Sequence, residues 1–306
     1  MTEFSDPEIY RTVLQTMHMA ILLVDQKRRI RFWNEGAERI TGYLSQDVVG
    51  RFQRGHFLAE SEELNGSDEN ECNSADPIGL AFRDGKASLT EGSILHKDGY
   101  RVPITLRTIP IRNSHGSVIG AAESFYRNQT ASEWSKRQVG LAEFGCLDEL
   151  IGVPPQIYME TQIREKLTTF AEHHIPFGIL IVQVDQLDQF RARRGSEVVG
   201  SILRVVAQTV ENALRPTDLL GCWSENQLLA VLPECREPDV MHMGDKVRRL
   251  VAQSEILWWG EKFSVACVFG GAGCRAGDTW KLIVARAEKS LQEFVARRGS
   301  GVITRP

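Results

Sequence analysis

Gly221–Pro233 reads GCWSENQLLAVLP. Two apolar runs flank the polar stretch Ser224-Glu225-Asn226-Gln227, so the segment is expected to form a β-hairpin around a four-residue turn. Nothing in that turn announces chemistry. Its neighbours give it a place. GILIVQV (178–184) reads as a buried strand, and SEVVGSILRVVAQTVENALR sets Val199, Leu203, Val206, Val210 and Leu214 on one helical face. After the hairpin come a helix over 237–253, a strand over FSVACVFGGA (263–272) and a closing helix over 278–298. The order β-α-β-β-α-β is the ferredoxin-like arrangement, an α+β fold whose sheet is expected to carry its helices on one face.

The chain has 306 residues, enough for two domains that each bury a core. A net charge of -4 supplies no field that would favour nucleic acid or an anionic membrane. No apolar run approaches the roughly 20 residues that span a bilayer. The start, MTEFSDPEIY, is polar and acidic, unlike a signal peptide, so a cytoplasmic protein is expected. The six cysteines (72, 146, 222, 235, 267, 274) never form C-x-x-C and read as buried or incidental thiols. His173-His174 ends a helical pattern, where imidazole suits the negative end of the helix dipole better than it suits a metal lacking further ligands.

The first half is a series of short strands. AILLVD and IRFW flank the turn QKRR, and NEGAERITGY follows with Ala37, Ile40 and Tyr43 at helical spacing. Residues 59–76 are acidic and polar, a solvated loop. PIGLAFRDGK is expected to be a short helix ending at Gly85, and SLTEGSILHKDG, YRVPITLRTIPI and GSVIGAAESFYR are expected strands. Residues 127–150 are charged, with Trp134, Val139, Leu141 and Phe144 as apolar positions, and suit a connecting helix.

ILLVDQKRRIRFWNEGAERITGYLSQDVVGR, with Asn34 and the Thr41-Gly42 pair, and the three closing strands up to RNQT resemble a PAS sensor domain, an antiparallel sheet with flanking helices. The second half resembles the GGDEF domain of diguanylate cyclases, from LDELIGVPPQIYMETQI through the hairpin to RRGSGV. The expected division is a PAS domain over 10–130, a connecting signalling helix over 131–150 and a GGDEF domain over 151–306.

Such a cyclase joins two GTP molecules into cyclic di-GMP, using divalent metal on the triphosphate. Mg²⁺ needs hard, charged oxygen ligands, and an amide brings no charge. The resemblance puts the two metal carboxylates at Gln183 and Asn226, and the signature Gly-Gly-Asp-Glu-Phe at Ser224-Glu225-Asn226-Gln227-Leu228. The glycines that let backbone approach phosphate are gone. The guanine-reading Asn and Asp fall on Arg191 and Gly200, and the phosphate-contacting Lys near Val295, with only Arg297 or Arg298 close by. Asp185 keeps the second acidic position of the strand, and Glu225 stands one residue from a metal position, where a shift by one reverses the side-chain face. A catalytically inactive homologue is expected, with no metal.

Arg215-Pro216-Thr217-Asp218 matches the family's R-x-x-D inhibitory site, which implies cyclic di-GMP held by Arg215 and Asp218. The same four residues make a plain turn, and both readings stay open. In the PAS half, His56, Cys72, His96, Phe32, Trp33, Phe57 and Phe82 are the ligand candidates, with core packing or a satisfied histidine as the simpler account. Trp258-Trp259 is expected to pack in the core or at an edge, with a partner-docking patch as the alternative. The expectation is a non-catalytic signalling protein that works by homodimerisation or protein contact. A cyclic di-GMP receptor is the alternative, and a cyclase the reading the residues oppose. No phosphodiesterase or DNA-binding segment lies within the 306 residues, so the output is expected in another signalling protein.

Overall fold

The computed structural model describes residues 7–52, 58–59, 76–128 and 151–299, with backbone alone at 58–59 and 298–299. It divides into two compact units, Met1–Asn128 and Gln129–Pro306. His56, Phe57, Cys72, Cys146 and the expected connecting helix over 131–150 lie outside the described residues.

The first unit begins with α1 (Pro7–Thr16), β1 (Ala20–Asp25), β2 (Ile30–Trp33), α2 (Glu35–Thr41) and α3 (Ser45–Val48). After β3 (Leu58–Ala59) come α4 (Pro77–Asp84), β4 (Ser88–Leu95), β5 (Arg101–Arg112) and β6 (Val118–Arg127). The strands form one antiparallel sheet in the order β2-β1-β6-β5-β4-β3. Alternate residues of each strand face one side, where Leu22, Val24, Ile94, Ile104, Leu106 and Phe125 pack with Ala37 and Ile40 of α2 and Ile78 and Ala81 of α4. The short helices end where the sequence says they should. Gly42 and Gly85 cap α2 and α4 with φ of 74° and 61°, the left-handed region that only glycine enters at little cost.

Asn34 explains its place in the pattern. Its Oδ1 accepts the Ala37 amide at 2.9 Å, capping α2, and the Ile21 amide at 2.8 Å. Its Nδ2 donates to the carbonyls of Leu14, Met17 and Met19 at 3.0, 3.3 and 2.9 Å. One buried side chain thus ties the end of α1 to β1 and α2.

The second unit runs α5 (Gln156–His173), β7 (Phe177–Val184), α6 (Leu187–Arg194), α7 (Ser196–Ala213), β8 (Leu219–Ser224) and β9 (Gln227–Pro233). It continues with α8 (Glu237–Ala252), β10 (Ile256–Trp258), β11 (Glu261–Phe263), β12 (Cys267–Gly273) and α9 (Trp280–Gly299). The sheet order β12-β7-β9-β8, antiparallel throughout, confirms the ferredoxin-like path. Helices cover both faces, however, not one. Met159 and Ile163 of α5 and Ile283, Ala287 and Leu291 of α9 pack on Ile179, Ile181, Val231 and Val268. On the opposite face a Cβ at Gly178 or Gly271 would meet Val240 of α8 within 2.6 Å. The strand core is apolar at nearly every position, which is the pattern of a sheet buried on both sides.

Three local expectations are corrected. The hairpin turn is two residues, Glu225-Asn226, because Ser224 and Gln227 pair across the strands. FSVACVFGGA is not one strand: Phe263 ends β11, which pairs with β10, and β12 starts at Cys267. Trp259 and Gly260 form the turn between them with φ of 50° and 82°, and Trp259 is 88% exposed, so it is not packed. His173 does close α5, with His174 as its left-handed cap.

Candidate functional site

The end of β7, the β8–β9 turn and α6 converge at one edge of the second unit. Gln183 stands opposite Gln227 in the strand register, and Gln227 Nε2 donates to Gln183 Oε1 at 3.0 Å. The Val184 amide donates to the Asn226 carbonyl at 3.0 Å, fixing the turn against β7. Ser224 Oγ reaches Asn226 Oδ1 at 3.2 Å. Arg191, exposed on α6, points to the Glu225 carboxylate at 3.4 Å. The structure therefore brings Gln183, Arg191, Ser224, Glu225, Asn226 and Gln227 together.

Their chemistry is self-satisfying. Gln183, at one metal position the resemblance assigns, is bonded by the Gln227 amide; Asn226, at the other, accepts from Ser224; and the nearest acid in the turn faces a guanidinium. This donor set does not suit Mg²⁺, which demands charged or water oxygens in near-octahedral array. Asp185 follows β7, its amide donating to the Ala266 carbonyl at 2.9 Å. Among the described residues no group of three or more His, Cys, Asp or Glu is placed to hold a metal ion. Leu228 is buried in the strand, Gly200 is buried in α7, and Val295 and Arg297 are exposed on α9 away from helical core positions.

Arg215–Asp218 makes the turn between α7 and β8. The Asp218 amide donates to the Arg215 carbonyl at 3.0 Å, and Asp218 Oδ2 accepts the Arg215 amide at 2.7 Å. Arg215 is exposed, whereas Asp218 is 2% exposed. Asp218 Oδ1 is buried with no hydrogen-bond partner among the described residues. Burial pushes this carboxyl up to about 6, against the opposing pull of the Arg215 amide and the charges of Arg215 and Lys246. The Cys235 thiol is pushed up by its own burial and by Asp218. Lys246 of α8, whose Nζ donates to the Ala213 carbonyl at 3.1 Å, was not legible as a member of this cluster, because it stands 28 residues beyond Asp218 on another element.

In the first unit, His96 is a structural histidine. It stacks on Tyr100 at 4.2 Å, its Nδ1 accepts the Asp98 amide at 3.2 Å, and burial lowers it to about 4, so it is neutral near pH 7. Trp33 is buried with its Nε1 donating to the Tyr43 carbonyl at 3.1 Å, and Phe82 packs against the core. The sequence reading missed Glu123. It is fully buried on β6 and accepts from Thr108 Oγ1 at 3.2 Å. Its place between Ala121 and Phe125 in the inward alternation was the signal.

Comparison with known families now fits this geometry. The pattern described as "Diguanylate cyclase, GGDEF domain" matches residues 146–300. The chain belongs to the GGDEF family. A PAS domain pattern matches residues 18–131, so this is a PAS–GGDEF signalling protein related to diguanylate cyclases. The probable diguanylate cyclase DgcE of Escherichia coli is 20% identical over 268 residues, covering 87% of this chain and 23% of that protein. Diguanylate cyclase A of Treponema denticola is 22% identical over 157 residues, covering 50% of this chain and 42% of the relative. The chain thus spans less than half the length of both. The structure of diguanylate cyclase SiaD with its activator SiaC from Pseudomonas aeruginosa has 25% identity and a TM-score of 0.49, covering 54% of this chain and 65% of that one. No described helix of the PAS–GGDEF chain is long and apolar enough to cross a membrane.

Proposed function

We propose that the GGDEF unit does not make cyclic di-GMP and that the protein signals by self-association or by contact with another signalling protein, under control of the PAS unit. The observation that carries this reading is that neutral amides stand at both positions where the family's chemistry needs metal carboxylates: Gln183 Oε1 is taken by Gln227 at 3.0 Å, and Asn226 Oδ1 by Ser224 at 3.2 Å. The Arg191–Glu225 pair adds to it by placing two side chains where guanine and phosphate would approach. Incubation of the purified chain with GTP and either Mg²⁺ or Mn²⁺ should yield no cyclic di-GMP; product formation overturns the proposal. The output mechanism has its own check: sedimentation that finds only monomer at every concentration removes self-association.

A second reading is that the protein binds cyclic di-GMP at Arg215 and Asp218. The exposed Arg215, the charge of Lys246 acting on Asp218, and the buried Asp218 oxygen without a donor among the described residues support it. The buried position of Asp218 weighs toward the turn, since the carboxylate must become accessible to meet a guanine edge. Calorimetry with the dinucleotide decides: binding lost in Arg215→Ala supports the receptor, and absent or undisturbed binding sinks it.

A further inference from the structure

The edge of the first unit holds an open cleft of about 570 Å³, within the volume range of small-molecule sites. Phe32 of edge strand β2 lines it, and Leu44 and Val49 supply a second apolar side. Trp33, also on its border, is 2% exposed and held by the Tyr43 carbonyl, so it anchors the strand that carries Phe32 and offers no face of its own. Arg11, one turn before Gln15 on α1, and Arg31 of β2 both border the same space. The α1 wall is fixed: Asn34 grips three carbonyls at its C-terminal end, and a Cβ at Gly36 would come within 2.3 Å of the Met19 carbonyl oxygen.

Arg11 is available at low cost, and Arg31 keeps one donor nitrogen. Arg11 meets Glu8 at 3.8 Å with both side chains about 70% exposed, a pairing that contributes little. Arg31 uses Nε and Nη2 on Asp25 at 2.7 Å, which leaves Nη1 outside that pair. The single carboxylate in the lining, Glu38, has Oε1 taken by the Ser45 amide at 2.6 Å. A half-buried aromatic ring with aliphatic neighbours, beside guanidinium donors, matches one ligand class.

We propose that this cleft binds a small organic anion with a planar apolar body, the body lying against Phe32, Leu44 and Val49 and the anionic group meeting Arg11 and Arg31. This site is separate from the GGDEF chemistry and stands whether or not the cyclase reading holds. Because one wall is α1, a bound anion bridges α1 to β2 and gives the sensor unit a route to report occupancy.

The test is isothermal titration calorimetry of the full chain with naphthalene-2-sulfonate as the anionic probe and naphthalene-2-methanol as its neutral counterpart. The sulfonate should bind once per chain, and the alcohol at least tenfold more weakly. The double variant Arg11→Ala/Arg31→Ala should lose at least tenfold in sulfonate affinity. Gln46→Glu, an exposed rim change that removes no contact of the fold, should weaken the sulfonate several-fold and leave the alcohol unaffected. Trp259→Ser, which alters the exposed aromatic of the other unit, should change neither. No sulfonate binding, equal affinity for the two probes, insensitivity to both cleft variants, or loss of binding in Trp259→Ser would each overturn the assignment.

Discussion

Asp218 sits in a conflict that can be measured. Its Oδ2 closes the turn through the Arg215 amide, while burial resists its charge and raises it from 3.8 to about 6. A carboxyl whose folded pKa lies above its unfolded value makes the native state bind more protons between the two. Its stability contribution is therefore full below about pH 4 and is lost as pH rises through about 6. Asp218→Asn keeps an acceptor for the Arg215 amide and removes the charge. Urea unfolding should show the variant gaining roughly 1–3 kcal/mol on the wild type between pH 5 and pH 7.5. A pH profile identical to wild type would refute the cause given. Asn34 is the opposite case, a fully buried polar side chain with every bond made. Asn34→Ala orphans the Ile21 and Ala37 amides and frees three carbonyls, and should cost about 2–4 kcal/mol of first-unit stability. Glutamine at 183 and 227 makes the same point in the second unit: side chains that reach each other at 3.0 Å need no ion between them.

Elements meet most closely at β12 and α9. A Cβ at Gly270 would lie 2.2 Å from the Leu291 amide nitrogen and 2.3 Å from the Ala287 carbonyl oxygen, so the helix backbone rests directly on the strand. Gly270→Val must push α9 away from β12, and a loss of about 3 kcal/mol or more is expected in chemical denaturation. The β10–β11 hairpin allows the reverse change. Trp259 holds φ of 50° in a two-residue turn, a conformation in which Asn is far better tolerated. Trp259→Asn should raise stability by about 0.5–1 kcal/mol, and a drop in melting temperature would show that the indole contributes packing its exposure does not suggest. Phe263 of that hairpin stacks on Phe190 at 5.0 Å and Arg194 pairs with Glu261 at 2.8 Å, which anchors the hairpin to α6. Element order, helix faces and glycine caps were legible because periodicity and capping are local properties. The β10–β11 hairpin was not, since its turn carries Trp where Asn or Asp before Gly would have announced it. Two-sided coverage of the second sheet was present in the unbroken apolar stretches 178–182 and 228–232, but the ferredoxin-like order alone does not say how many helices dock on each face.

At the scale of the molecule, the candidate site was readable only through resemblance. Gln183 and Gln227 are 44 residues apart, and nothing local in either marks it as the other's partner; the β7–β9 register supplies that. Lys246 comes within electrostatic reach of Asp218 by the same kind of long-range juxtaposition. The two cores, in contrast, follow from the sequence halves themselves, and they share no residue: one is built around Trp33, Ile104 and Phe125, the other around Phe177, Ile179 and Leu229. Each closes its own sheet, so each carries its own unfolding cooperativity. Differential scanning calorimetry of the whole chain should then resolve two transitions. Asn34→Ala should lower one of them by several degrees and leave the other in place, and Gly270→Val should do the converse, since each change acts inside a single core. A single transition that moves with both substitutions would mean that the two units melt as one cooperative block, and would give the sensor a direct thermodynamic hold on the GGDEF unit in place of a signal passed between separately stable bodies.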